Sequence, residues 1–360
     1  MNRRLFLTAS AAALAFAPAA GAQNPADRDW PALKPDAYEI ATPKGVREEA
    51  FVTLGGVEQW VSIRGRDKAN PVLLLIGSTG GGPGATHSLT QQVRLPWEEH
   101  FTVVSWDVRG SGKSYIRAGK EKARDGLTLD RIVADGLELT DHLRRRLGKR
   151  RIALLGIFYG ATIGQKMALA RPDAYSVLAL DGPVANSSHE REQFYYDRLV
   201  ELARAAGDNA ALEDLKFSGP FVWDDGVDPQ KRVKLSAVYR KYRPPNPRFN
   251  GTPPHWTLLE ASRNREGMLL GDEVLLPEWK AYDFGKLGYR YGVPIVVVTG
   301  ADNLFAPAPM ARAWLDRVHA PSKAFHAIPG GGNHAQETHP EAYLELLVKH
   351  VRPLAASRER

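Results

Sequence analysis

Residues 151–164 read R-I-A-L-L-G-I-F-Y-G-A-T-I-G and combine the features of a chemical site. The apolar run 152–155 predicts a short buried strand, and the apolar run that follows Gly160 predicts a helix. Gly156 and Gly160 flank Phe158 at two residues on either side, which is the pattern of a nucleophile elbow. In enzymes that use this turn the middle residue is Ser, Cys or Asp. Because Phe158 carries no nucleophilic atom, the stretch predicts the turn without its reactive group.

Further apolar runs on both sides of this stretch predict the elements that position it. Predicted strands lie at 48–54, 57–63, 71–76, 101–106, 152–155, 175–180, 294–299 and 324–328. Helical spacing predicts a helix that begins at Thr128 and stops at Gly148, and further helices at 308–318 and 340–351. Strands alternating with helices indicate an α/β fold with a mostly parallel sheet covered on both faces.

One long segment departs from this alternation. Residues 185–288 are rich in charged and aromatic side chains and are interrupted by prolines. We interpret them as an inserted, mostly helical cap subdomain. The core of the fold is then assigned to residues 48–184 and 289–360, with residues 23–47 as an extended leader. Most of the cap aromatics are expected in the cap's own core, with a few facing the cleft below.

Residues 1–22 have the pattern of a bacterial export signal. Arg3 and Arg4 precede an apolar, alanine-rich run at 9–20, and an A-x-A cleavage pattern ends at Ala22. The twin arginines favour a Tat-like signal, with an ordinary Sec signal as the alternative. The run is too short for a stable membrane span. We therefore expect a periplasmic or secreted protein with no stable membrane span after signal removal.

Composition narrows the classes of function. The chain has no cysteine, which removes disulfides, thiolate metal sites and a cysteine nucleophile. The formal net charge is +7, but the dense basic cluster at 144–151 falls at a predicted helix end, where cations suit the helix dipole. No nucleic-acid motif accompanies it, so nucleic-acid binding is not expected. The spacing of His326, His334 and His339 suits no metal site, and no cofactor motif is present.

Several segments together resemble a known family. They are the glycine-rich 80–84 (G-G-G-P-G), 106–114 (W-D-V-R-G-S-G-K-S), the elbow, 300–307, 328–330 and 338–341 (T-H-P-E). In order and spacing the chain resembles the α/β-hydrolase fold and, within it, the prolyl aminopeptidase (proline iminopeptidase)-like family. The resemblance covers about residues 48–352. It implies a hydrolase core with a helical cap over a Ser-His-acid triad.

The family's catalytic residues, carried over by position, are replaced here. The nucleophile position falls on Phe158. The acid, four residues before a proline, falls on Asn303, and the histidine, six residues before the His of T-H-P-E, falls on Asn333. The histidine that opens the family's glycine-rich loop falls on Gly80. Neither asparagine can act as a base, so four joint replacements predict that serine-hydrolase catalysis is absent.

The backbone N–H donors of such a site can be retained when its catalytic side chains are replaced. The resemblance implies that the Tyr159 N–H, together with that of Gly81 or Gly82, forms an oxyanion site able to bind a carbonyl or carboxylate. We therefore expect a non-catalytic or repurposed member that binds a small-molecule or peptide-like ligand between cap and sheet. Phe158 would form the aromatic floor of that pocket.

Two alternatives remain open. Asp302 and His334 each adjoin a replaced position, and one-residue loop shifts would let them meet as a dyad. Such a dyad could act as a general base in a peptidase-like or esterase-like hydrolase or in a lyase. The second alternative is an ordinary hydrolase whose site aligns differently. Thr162 mimics a second nucleophile pattern, but it lies one turn inside the predicted helix.

Overall fold

A computed structural model of the chain describes residues 29–30, 38–77, 91–224, 226–244, 248–249 and 257–357. The predicted export signal at 1–22, the glycine-rich segment at 80–84 and part of the predicted leader lie outside the described residues. Within the described ranges, none of the helices combines the length and apolar character that a membrane span requires.

The strands of the described chain form two sheets. They are β1 (Asp29–Trp30), β2 (Val46–Leu54), β3 (Val57–Gly65), β4 (Val72–Ile76), β5 (Thr102–Trp106), β6 (Ile152–Ile157), β7 (Tyr175–Asp181), β8 (Arg248–Phe249), β9 (Ile295–Gly300) and β10 (Lys323–Ile328). The main sheet has the order β10-β9-β7-β6-β4-β5-β3-β2, and β1 pairs with β8 in a separate ribbon. In the main sheet, β3 runs antiparallel to both β2 and β5, and the other pairs are parallel. The predicted mostly parallel α/β fold is confirmed.

Helices fill the connections between these strands. They are α1 (Gln91–Arg94), α2 (Gly112–Ala118), α3 (Lys120–Arg124), α4 (Leu129–Leu147), α5 (Tyr159–Ala170), α6 (Ser188–Ala205), α7 (Asn209–Ser218), α8 (Pro229–Tyr242), α9 (Leu258–Ala281), α10 (Ala308–Arg317), α11 (Ala335–Thr338), α12 (Pro340–Leu346) and α13 (Arg352–Ser357). Leu95–Glu99, Pro172–Ala174 and Phe284–Leu287 form 3-10 turns, and Leu347–Val351 forms a π-helical turn. Helices α6 to α9 lie within the segment 185–288 interpreted as the cap.

Alternating side chains of β4 show how the sheet is buried on both faces. Leu74 and Ile76 join a core cluster with Ile132 of α4, whereas Leu73 and Leu75 join a second cluster on the opposite face. All four β4 side chains are inaccessible to solvent. Successive side chains of a strand point to opposite faces of the sheet. A strand that is buried on both faces therefore needs an unbroken apolar run, as in other parallel sheets.

The cap helices enclose a smaller core of their own. Tyr195 and Leu199 of α6 pack there with Leu215 of α7 and Leu235 of α8. Leu304, from the loop after β9, joins the same cluster. The loop that follows β9 is therefore packed into the base of the cap, which links the two parts above the sheet.

The junction between β6 and α5 is tightly packed. A Cβ atom at Gly160 would overlap the carbonyl oxygen of Ile76 and would lie 2.6 Å from that of Gly77. A Cβ atom at Gly156 would lie 2.6 Å from the Cα atom of Ala161. Both positions therefore require glycine, and the residue midway between them is held in a fixed place at the edge of the sheet.

We expect Gly160→Ala to lower the free energy of unfolding by about 3 kcal/mol or more, because the clash is with backbone that cannot rotate away. The matched control is Gly164→Ala in the same helix, where the new Cβ would lie 3.2 Å from a methyl group of Leu178. That side chain can adjust, and alanine favours helix, so the control is expected to stay within about 1 kcal/mol of wild type. Urea denaturation of both variants checks this. Equal loss of stability in the two variants would contradict it.

Candidate functional site

The backbone at Phe158 has the strained conformation of a nucleophile elbow. Its φ is 54° and its ψ is −116°, and among the described residues it is the only one other than glycine with a positive φ. Its N–H donates to the carbonyl of Asp181 (2.8 Å) and its carbonyl accepts from the N–H of Ala161 (3.0 Å). A bulky residue adopts this conformation only where its surroundings impose it. The turn is therefore kept although the nucleophile is absent.

The Phe158 ring is partly buried and contacts two other rings. Its centroid lies 4.8 Å from that of Tyr159 and 6.5 Å from that of Phe305, both edge to face. Tyr159 in turn stacks on Trp279 of cap helix α9, with centroids 4.6 Å apart. These separations lie in the range of about 4.5–7 Å in which aromatic pairs attract each other.

Phe305 carries the aromatic contacts into the other cap helices. Its ring centroid lies 5.5 Å from that of Tyr195 in α6 and 5.1 Å from that of Tyr239 in α8. We name the connected set the aromatic wall; its members are Phe158, Tyr159, Tyr195, Tyr239, Trp279 and Phe305. The aromatic wall connects the elbow to three cap helices.

Asn303, which the resemblance assigns to the family's acid position, forms hydrogen bonds within its own loop. The side chain is buried, and its Oδ1 atom accepts from the N–H groups of Phe305 (3.0 Å) and Ala306 (2.9 Å). These two bonds fix the turn that carries the Phe305 ring into the aromatic wall. The amide is neutral, so the position contributes no negative charge to the site.

His334 and Asn333 lie in the loop between β10 and α11. The His334 side chain is 42% exposed, and its Nδ1 atom lies 3.7 Å from Oε2 of the buried Glu337. The Nε2 atom of His334 lies 3.4 Å from Nδ2 of Asn333. His334 thus lies close to the Glu337 carboxylate and the Asn333 amide, and part of its ring is exposed to solvent.

Asp302, the other member of the predicted dyad, has different surroundings. Its side chain is exposed, and its N–H donates to the carbonyl of Gly331 (2.8 Å). Its charge acts on His339, whereas the carboxylates that act on His334 are Glu337 and Asp181. The described contacts therefore bring His334 to Glu337 and not to Asp302.

A group of buried ionisable side chains lies beneath His334. Asp181 ends β7 and pairs with Ile157, the last residue of the elbow strand. Burial and, to a smaller extent, the charge of Glu337 raise the pKa of the Asp181 carboxyl to about 7, although Tyr343, His334 and Arg94 oppose the rise. A carboxyl with this pKa holds its proton through most of the acidic range.

The charge state of His334 follows from these neighbours. Partial burial disfavours the imidazolium, but Glu337 and Asp181 outweigh it, so the pKa of His334 is raised above its ordinary value. The one opposing charge is that of Arg243, which follows α8 in the cap. The loop therefore favours the protonated form of His334.

The remaining predicted positions are placed as follows. Tyr159 is the first residue of α5, and Gly81 and Gly82 lie outside the described residues, so the shared oxyanion site stays a prediction. Thr162 is inaccessible to solvent, so its hydroxyl is not placed to meet a substrate. In the part of the chain that the structure describes, no cluster of His, Asp and Glu side chains is arranged to hold a metal ion.

Sequence reasoning missed several residues of the site. Asp181 could have been found, because it is a carboxylate at the end of an apolar strand run. Glu337 could also have been found, since it follows His334 by three residues, a spacing that brings side chains together on a helix. Arg243 and Phe305 carry no such signal, because their places depend on how the cap and the loop after β9 pack.

Comparison with known proteins agrees with this architecture. A relative from Bacillus subtilis (strain 168), named Probable aminopeptidase YbaC, is 24% identical over 332 residues, which cover 87% of this chain and 99% of the relative. A proline iminopeptidase from Mycobacterium smegmatis has a similar structure, with a TM-score of 0.60, 17% identity and coverage of 86% of this chain and 99% of that one.

A proline iminopeptidase-related protein from Thermus thermophilus gives a TM-score of 0.57 at 22% identity, covering 87% of this chain and 98% of that one. At these identities the solved structures support the fold. The family model described as alpha/beta hydrolase fold matches residues 70–340, about three quarters of the chain. The chain therefore belongs to the α/β-hydrolase fold family, with prolyl aminopeptidase-like proteins among its relatives.

Proposed function

We propose that this protein binds a small apolar or peptide-like ligand beneath its cap and has lost serine-hydrolase chemistry. The observation that carries the proposal is Phe158, whose ring occupies the strained elbow position where a hydrolase presents its nucleophile. With the export signal predicted at residues 1–22, the protein would act outside the cytoplasm.

The chemical argument against serine hydrolysis rests on three positions. In studied triads, loss of the nucleophile costs on the order of 10⁶ in rate. Asparagine in place of the acid costs about 10⁴, because it stabilises the wrong histidine tautomer. Here Phe158 supplies no nucleophile, Asn303 supplies no charge, and Asn333 supplies no base.

The argument for ligand binding rests on the aromatic wall. The Phe158 ring is only partly buried, although it contacts Tyr159 and Phe305. Ligand sites in folded proteins are typically apolar clefts with a few polar groups, and elements from two subdomains often form them. The names of the relatives, an aminopeptidase and proline iminopeptidases, support a peptide-like ligand.

A second candidate function is acid–base catalysis by His334. It is favoured by the 3.7 Å approach of the Glu337 carboxylate to His334 Nδ1, which could orient the ring as an acid orients the base in a triad. The protein would then be a hydrolase or lyase without a covalent step. The carboxylate partner in this arrangement is Glu337, whereas the dyad predicted from the sequence used Asp302. Loss of a measured turnover in His334→Ala would favour this candidate over ligand binding alone.

The protein is expected not to react with a fluorophosphonate probe, because the elbow has no hydroxyl. Phe158→Ser alone is expected not to restore hydrolysis of 4-nitrophenyl acetate or proline arylamides above the rate with wild type, since the acid and base positions remain Asn303 and Asn333. Intact-mass analysis and spectrophotometric assays measure both. Stoichiometric labelling of wild type, or strong rescue by the single change, would sink the proposal.

Glu337→Gln is expected to lower the pKa of His334, because it removes the nearest carboxylate. In wild type the pKa of His334 is raised above its ordinary value of 6.5, so protonated His334 stabilises the fold fully at pH values below 6.5. This stabilisation is lost as the pH rises through the raised pKa. Nuclear magnetic resonance titration of the imidazole measures the shift. The matched control is Glu341→Gln in the next helix, whose charge acts on His339 instead. An unchanged His334 pKa in Glu337→Gln would refute the pairing.

A further inference from the structure

Arg243 lies where the cap meets the loop of His334. It directly follows α8, and its N–H donates to the carbonyl of Tyr239 (2.7 Å). The next residue, Pro244, packs on the His334 loop so closely that a Cβ atom at Gly332 would lie 2.7 Å from the proline ring. The cap chain therefore touches the core directly beside Arg243.

The Arg243 guanidinium lacks an anionic partner in the described structure. Its Nη1 atom is buried without a hydrogen-bond partner. No described carboxylate lies within ion-pair distance of it, and the groups on which its charge acts are His334 and Tyr239. A buried cationic nitrogen without an acceptor costs free energy, which a bound anion would offset.

We propose that Arg243 and His334 form an anion-binding subsite and that the ligand under the cap is an apolar molecule bearing a carboxylate. This inference rests on the proposed function and names the class of ligand. Guanidinium groups bind carboxylates through two parallel hydrogen bonds, and a protonated imidazole adds a second cationic donor.

The apolar part of the ligand is defined by the aromatic wall. Tyr239 lies one helical turn before Arg243 and contacts Phe305 (5.1 Å between centroids). Phe305 contacts Phe158 at the elbow (6.5 Å). A molecule with its carboxylate at Arg243 would therefore extend its apolar body along Tyr239 and Phe305 towards Phe158.

The surrounding charges are compatible with an anion. The family's acid position holds the neutral Asn303, so the negative charge that a triad would place there is absent. Glu337 is only 4% exposed and lies 3.7 Å from His334 Nδ1, where its charge favours the protonated imidazole. The Glu337 carboxylate therefore supports the cationic form of His334, which the anion would contact.

The test compares carboxylates with their uncharged amides by isothermal titration calorimetry on the purified full chain. The first pair of probes is 4-phenylbutyrate and 4-phenylbutyramide; the second is the dipeptide Ala-Phe and its C-terminal amide. At least one acid is expected to bind about tenfold or more tightly than its amide, as charge-assisted hydrogen bonds predict. Preference within the first pair would point to a free organic acid, and preference confined to the second pair to a peptide C-terminus.

Arg243→Gln is expected to abolish that preference, and Arg243→Lys to retain part of it, because lysine keeps the charge but not the planar fork. The matched control is Arg240→Gln, an exposed arginine in the same helix turn, which should bind as wild type does. Circular dichroism establishes whether each variant is folded. If Arg243→Gln does not fold, wild type is compared with Arg243→Lys instead.

The outcomes separate the two proposals. If amides and acids bind wild type equally well, or if Arg243→Gln keeps the preference, the anion subsite is wrong and ligand binding under the cap stands. If none of the four probes binds, the anion subsite and the proposed ligand class are both contradicted.

Discussion

The left-handed backbone at Phe158 is the constraint on which the site depends. Helix α5 can start there only because Gly156 and Gly160 leave room for the chain to pack against Ala161 and the end of β4. A strained residue of this kind costs about 1–3 kcal/mol. The two ring contacts of Phe158 contribute about 0.5–1.5 kcal/mol each, which is comparable to the strain. Aromatic packing can therefore stabilise this turn with phenylalanine at its centre.

This constraint explains how the chemistry of the site can change while the fold does not. The backbone presents whichever side chain stands at position 158 at the same point of the cleft. With phenylalanine there, that point becomes an apolar surface continuous with Phe305 and the cap. Asn303 holds the turn of Phe305 through two hydrogen bonds, and the charged side chains that act on His334 are Glu337, Asp181 and Arg243.

The sequence was sufficient to predict the fold, whereas the assignment of the family's catalytic positions to Phe158, Asn303 and Asn333 stays a prediction. Apolar runs such as 71–76 and the glycine spacing around Phe158 reflect local requirements of the backbone. The strands and the turn that they form can therefore be predicted from the sequence. The partner of His334 could not be read in the same way. Asp302 is adjacent to the expected position, but a loop shift of one residue changes which carboxylate meets the ring, and Glu337 does so from α11. Arg243 was unpredictable because its place depends on how α8 packs over a loop that comes much later in the chain.

The proposed ligand-binding role of the elbow is tested most directly by a crystal structure of the protein with 4-phenylbutyramide bound. The uncharged probe separates the aromatic contact from the charge of Arg243. We expect the phenyl ring of the probe to lie against the exposed part of the Phe158 ring and beside Phe305, with the Phe158–Phe305 contact and the elbow backbone unchanged. A probe bound elsewhere, while the Phe158 ring remains covered by protein, would contradict the central claim that the elbow now presents a binding surface.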